Sequence, residues 1–146
     1  MSQDLTTCIP AIATVVAAAD SIKGTQSLPN DIQGEYPFAM VYLLDGEAGN
    51  DITQGLIDLV NIAIDILAPT EWSLGTLFPL FNAALDELKV DLVAEVVGSG
   101  GHFSNSIDTF AQLRFYFIPE YPFGNIPMLG YRIVMEQVKL VDESIG

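Results

Sequence analysis

The chain has 146 residues, half of them hydrophobic and only 16% charged, with 19 acidic against five basic side chains and a formal net charge of −14. The lone Cys8 excludes an internal disulfide framework and fits a reducing setting, while the negative field disfavours binding to nucleic-acid phosphate. The acidic start, Met1 to Asp4, lacks the basic region of a signal peptide, and the longest apolar run, Ile9 to Ala19, is shorter than the about 20 residues a bilayer needs, so a soluble single domain over residues 1–146 is expected.

The first element reads as a helix. Thr7-Cys8-Ile9-Pro10 suits a cap and first turn, and Ile9, Ile12, Ala13 and Val16 follow at helical spacing. Ile22 to Leu28 reads as a short edge strand between Gly24 and Pro29. Pro37 then opens a strand over Phe38 to Leu44, which ends in Asp45-Gly46-Glu47-Ala48-Gly49-Asn50-Asp51, an acidic segment of loop character. Ile52 to Leu67 is a long isoleucine-rich strand. Its second face, Ile57, Leu59, Asn61, Ala63 and Asp65, is too apolar to face solvent.

Thr76-Leu77-Phe78-Pro79 repeats the cap-and-proline pattern and leads an apolar stripe of Leu77, Leu80, Phe81, Ala84, Leu85 and Leu88. Val90 to Val97 either extends this helix or forms a strand, and Gly98 to Asn105 is a glycine and serine connector. The last forty residues alternate cleanly. Ile107, Thr109, Ala111, Leu113, Phe115 and Phe117 line one face of a strand, and Leu129, Tyr131, Ile133 and Met135 line one face of its partner. The expectation is an α+β fold, with two helices packed on one face of a largely antiparallel or mixed sheet of about five strands.

Catalytic chemistry finds little material. With one histidine and five basic residues, few nucleophile and base pairings are available, so no enzyme, cofactor or metal is expected. Asp58 and Asp65 have opposite parity on one strand and cannot share an ion, and the 98–101 glycine run lacks a phosphate-loop lysine. What remains is surface. A charge-poor, half-apolar chain buries area against copies or partners. The acidic segment with Asp45, Glu47 and Asp51, and the tip with Tyr121, Phe123 and Asn125, are the candidate interface residues, because exposed aromatics beside proline anchor protein contacts.

Three stretches carry a family resemblance: Tyr36-Pro37-Phe38-Ala39-Met40-Val41-Tyr42, Ile52 to Asp65, and Ile107 to Val138 with Leu113-Arg114-Phe115 and Leu129-Gly130-Tyr131-Arg132-Ile133. Together with the Leu77 to Leu88 helix, this order of elements resembles the tail terminator proteins of long-tailed bacteriophages, also called tail completion or minor tail proteins. The match covers about residues 5 to 141 as a pattern of turns and apolar positions, and departs from the family in longer Val90–Val97 and Gly98–Asn105 segments. The resemblance implies a homo-oligomeric ring, commonly a hexamer, at the head-proximal end of the virion tail, assembled in the host cytoplasm. It would cap the tail tube, stop its polymerisation, meet a neck or head-completion protein, and let DNA pass through the lumen without specific binding. The alternatives are a neck protein of the same virion, a small ligand-binding domain with a pocket lined by Trp72, Phe78 and Phe115, and a carboxylate metalloenzyme built on Asp58, Asp65 or Asp108.

Overall fold

The computed structural model describes residues 3–26, 37–51, 55–97, 103, 106–121 and 127–142. In chain order these form α1 (Leu5–Ala17), β1 (Gly24–Gln26), β2 (Phe38–Asp51), β3 (Gly55–Pro69), α2 (Leu74–Val97), β4 (Gln112–Ile118) and β5 (Met128–Asp142). The sheet order is β1-β2-β3-β5-β4. The class is α+β, but the expected sheet of about five strands is corrected. The sheet proper is four antiparallel strands, β2-β3-β5-β4, and the anticipated edge strand shrinks to three residues of β1 paired in parallel with Phe38, Ala39 and Met40. Gly24-Thr25-Gln26 is too polar to supply a buried apolar face, which leaves β1 a short adjunct.

Both helices begin three residues ahead of the expected threonines. Asp4 caps α1, its carboxylate accepting from the Thr7 N–H at 2.8 Å, and the Ser73 hydroxyl accepts from the Thr76 N–H at 3.3 Å at the start of α2. An acceptor three residues ahead satisfies an N–H that has no partner within the helix, so the threonines sit inside the first turn rather than at the cap. Pro10 and Pro79 therefore both lie within helices. Val90 to Val97 continues α2 and is not a strand.

The two helices cover one face of the sheet. Cys8, Ile12 and Val16 of α1, and Leu77, Phe81, Ala84, Leu85, Leu88 and Leu92 of α2, pack on Val41, Ile62, Ile64, Ile66, Ile133 and Met135. Phe103, from the glycine and serine connector, is buried in the same core; the rest of Gly98 to Asn105 lies outside the described residues. The opposite face has its own apolar cluster, in which Phe38, Met40, Tyr42, Ala63, Leu67, Ile118, Tyr121 and Met128 are buried. Burial on both sides explains why the second face of β3 is so apolar.

Two strands run beyond the body as an arm. The segment expected to be an acidic loop is strand: Asp45 to Asp51 pairs in register with Asn61 to Gly55. Its glycine-rich composition misreads as a turn because Gly46 serves close packing. A Cβ there would sit 2.6 Å from Val60 Cγ1. The arm leaves the body at two irregularities, one in β2 between Leu43 and Asp45 and one against β5 between Val60 and Ile62. Asn61 holds both. Its amide donates to Asp45 Oδ1 at 2.6 Å, and its carbonyl accepts from the Gln137 N–H at 3.0 Å, where Gln137 has a φ of 55°. Such bulges bend a strand and re-aim the residues beyond them.

Regular pairing of β4 starts at Gln112 rather than at Ile107; upstream, the chain touches β5 only through an isolated bridge between Thr109 and Lys139. At the other end of β5, Gly130 approaches β3 so closely that a Cβ would lie 1.7 Å from the Ile66 carbonyl oxygen. Alanine at Gly130 must push β5 off β3 in the middle of the sheet. Gly130→Ala is therefore expected to lower stability by about 3 kcal/mol or more in denaturant unfolding; a midpoint unchanged from the parent chain contradicts this packing.

Candidate assembly surface

The long alternating strands bring one polar row across the apolar second face. Met40, Asp65, Arg132 and Tyr116 are successive cross-strand partners on β2, β3, β5 and β4. Asp65 is fully buried, and the Arg132 side chain is 18% exposed. Arg132 grips the carboxylate with two nitrogens, Nε to Oδ1 at 2.7 Å and Nη2 to Oδ2 at 3.1 Å. Tyr42 closes the triangle: its hydroxyl accepts from Arg132 Nη2 and donates to Asp65 Oδ2, each at 2.6 Å. Arg132 Nη1 reaches the Tyr116 hydroxyl at 3.4 Å, and the Tyr121 hydroxyl reaches Met40 Sδ at 3.5 Å. No buried side-chain nitrogen or oxygen among the described residues lacks a partner.

This network governs the ionisation of its members. Burial pushes the Tyr42 hydroxyl above the ordinary tyrosine range, helped by its hydrogen bond to Asp65. Burial raises Tyr121 likewise, with the Asp65 charge next in importance. The hydrogen bond to Asp65 holds Arg132 protonated more firmly still, outweighing its partial desolvation. Cys8 lies apart from this row; burial, then the Asp4 charge, pushes its thiol up to about 12, which makes it a packing residue and not a nucleophile at neutral pH.

The expected interface residues separate into three groups. Asp45 and Glu47 are exposed on the arm, on the face away from the helices, opposite Asn61 and Leu59, while Asp51 pairs with Gly55 at its end. Tyr121, expected at an exposed aromatic tip, is 6% exposed and belongs to the second core, because its ring fills the space over Met40 and its hydroxyl joins the polar row. Phe123 and Asn125 lie outside the described residues, as does His102. The carboxylates considered for a metal do not converge. Asp65 is paired with Arg132, Asp108 lies 3.6 Å from Lys139, and Asp58 faces Ala48 and Leu140 across β3. Among the described residues no group of three or more His, Cys, Asp and Glu side chains could hold an ion.

The aromatic exposure lies elsewhere, on β4. This strand closes the sheet at one margin and presents Phe115, Tyr116 and Phe117, at 45%, 39% and 37% exposure. Phe117 stacks against Phe78 and Tyr131 with ring centres 5.8 and 5.5 Å apart, so one side of its ring is held from within. Phe115 lies under the Lys89 ammonium, 5.4 Å from the ring centre. Together with Val93, Phe110 and Leu113, Phe115 and Lys89 border an apolar groove of about 380 Å³, of which neither Trp72 nor Phe78 is part. Alternation marked Phe115 and Phe117 as one face of a strand; that the strand is an edge depended on sheet order, which alternation does not contain.

Compared with protein-family models and with curated proteins, the chain matches none. No helix among the described residues is long and apolar enough to cross a membrane.

Removing one member of the buried pair strands the other. Arg132→Ala, which leaves the Asp65 carboxylate without its cation, is expected to cost about 3–5 kcal/mol in denaturant unfolding. A loss below about 1 kcal/mol, the range of an exposed pair, contradicts the buried geometry. The tyrosines set the alkaline limit. Each is an acid whose folded pKa lies above its unfolded value of 10.0, so the stabilisation is complete below that pH and is lost as pH rises beyond it toward the folded value. In an absorbance titration, two of the five tyrosines are expected to ionise only as the near-ultraviolet circular dichroism collapses. Ionisation of all five in the folded chain contradicts the assignment.

Proposed function

We propose that the protein is a structural subunit of a phage tail, of the tail-terminator kind, forming a homo-oligomeric ring that caps the tail tube, stops its growth and offers a surface to the neck or head-completion protein. The observation that carries the assembly part is the exposed aromatic edge of β4. A free strand edge with three neighbouring aromatics is a template for pairing with another chain, and monomeric proteins blunt such edges with charge, proline or a covering element. Here one arginine is the only charge on the strand. The tail assignment rests on the resemblance in the order of elements. The net charge of −14 suits a ring through which DNA slides, since an acidic wall does not hold phosphate.

Light scattering and negative-stain imaging of the purified protein, alone and with growing tail tubes, test the reading. Closed rings, and tubes that stop elongating with a ring at one end, are the expected outcome. Phe115→Ser, which removes an exposed ring, is expected to weaken both. A protein that stays monomeric and leaves tube growth unaffected overturns the proposal, and a stable dimer that binds a small apolar ligand in the Phe115 groove replaces it with the ligand-binding alternative.

A further inference from the structure

We propose that copies of this chain join head to tail by sheet extension, the open edge of β4 in one copy pairing antiparallel with the distal half of β2 in the next. This pairing rests on the proposed assembly into a ring and names the two surfaces that meet.

Among the described residues, the four-strand sheet ends on two margins that differ in every relevant property. At one margin β4 pairs only with β5; at the other, β1 covers β2 at Phe38 to Met40 and leaves the strand from Val41 onward open on that side. On each margin alternate residues turn their backbone N–H and C=O groups away from the sheet. The distal segment of β2, Asp45 to Asp51, is as long as β4, Gln112 to Ile118.

Direction fits. Each neighbour in the series β2, β3, β5, β4 is antiparallel to the last, so β2 and β4 run opposite to one another. A second copy in the same orientation then presents its β2 antiparallel to β4, and the alternation continues unbroken across the junction. Such a contact is heterologous, and it closes into a ring when the rotation per copy divides a full turn.

Side chains fit on both faces. On the helix-covered face β4 offers Phe115 and Phe117, while the arm offers Gly46 and Ala48, the partners of Val60 and Asp58. Large rings meet small residues. On the other face β4 offers Arg114, whose side chain is 62% exposed even beside Glu136, while the arm offers Asp45 and Glu47. Opposite charges meet. The two self-pairings lack this match: two arms would set Asp45 and Glu47 against their own copies, and two β4 edges would leave both acidic arms uncompensated. Like charges directly opposite across strands are destabilising. Because Ile118, Gly130, Leu67 and Phe38 form one cross-strand row, β4 lies level with the base of β2 and not with its free half. Successive copies are therefore stepped along the strand direction, the stagger that tilted strands in closed sheets require.

Sedimentation velocity over a concentration series, on Arg114→Glu, Glu47→Arg and the two combined, tests the pairing, with circular dichroism to confirm the fold. Each single variant is expected to associate roughly tenfold or more weakly than the parent, because attraction becomes repulsion at one contact. The combined variant, and an equal mixture of the two singles, are expected to recover association, since each then places Glu opposite Arg. Association unaffected by Glu47→Arg overturns the proposal, as does loss in both singles without recovery in the double. If the parent chain assembles only on tail tubes, the same variants are read by capping, and a parent that neither associates nor caps overturns both proposals. Rings that cap tubes but ignore all three variants sink the edge pairing alone. Charge-swap recovery in a protein that leaves tubes uncapped sinks the tail reading alone.

Discussion

The fold turns on one buried ion pair. β3 lies between β2 and β5, and Asp65 in its middle, within Ile62-Ala63-Ile64-Asp65-Ile66-Leu67-Ala68, is the charge that every alternative register must accommodate. A slip of one residue would turn Asp65 into the helix-covered core and carry Ile64 and Ile66 out of it. Such a slip leaves a carboxylate among leucines and phenylalanines with no cation, which costs far more than the apolar residues regain. The pair with Arg132 is thus weak evidence for net stability but strong evidence for uniqueness, since only the observed register gives both ions their partners.

That register sets the rest of the sheet. Asp65 opposite Arg132 places Arg132 opposite Tyr116, so β4 is held at its observed level by the same row. Toward the arm, Asn61 resets the alignment on both sides at once, bonding Asp45 on β2 and the Gln137 N–H on β5. A single side chain therefore determines where the body ends and the arm begins. Position by position, the exposure of Leu43, Leu44 and Leu59 reflects that exit, because beyond it no helix covers the strands.

Much of this could be read from residue types, and the failures share a cause. The stripes of α1 and α2, the long β3 and the closing hairpin were legible because period and composition are local. Asp45 to Asp51 was not. Glycine and acidic residues signal a turn, yet Gly46 is required by a neighbour strand, information that lies at Val60. Tyr121 failed for the same reason: beside Pro122 it reads as a tip, while its place is decided by Met40, far away in sequence. The Asp65–Arg132 pair left one usable trace. A lone carboxylate in a seven-residue apolar run needs a cation, and Arg132 lies in the longest strand that could supply one.

Charge then decides how such a chain can meet its own copies. Four of the five basic residues, Lys89, Arg114, Arg132 and Lys139, are each already near an acid of the same chain, Asp86, Glu136, Asp65 and Asp108. The acids of the arm are left with little compensation from within, so two copies repel at long range. Screening acts on that repulsion first, because charges farther apart than about 10 Å are largely screened at about 0.1 M salt. A matched contact such as Arg114 with Glu47, brought together and partly desolvated at a strand junction, is screened less. Moderate salt therefore favours association, measured by light scattering. Salt near 1 M, where the screening length is about 3 Å, also erodes the matched charges and leaves Phe115 and Phe117 to hold the contact. Association that rises and then levels fits an interface whose apolar face dominates, whereas a fall at high salt assigns the larger share to the charges.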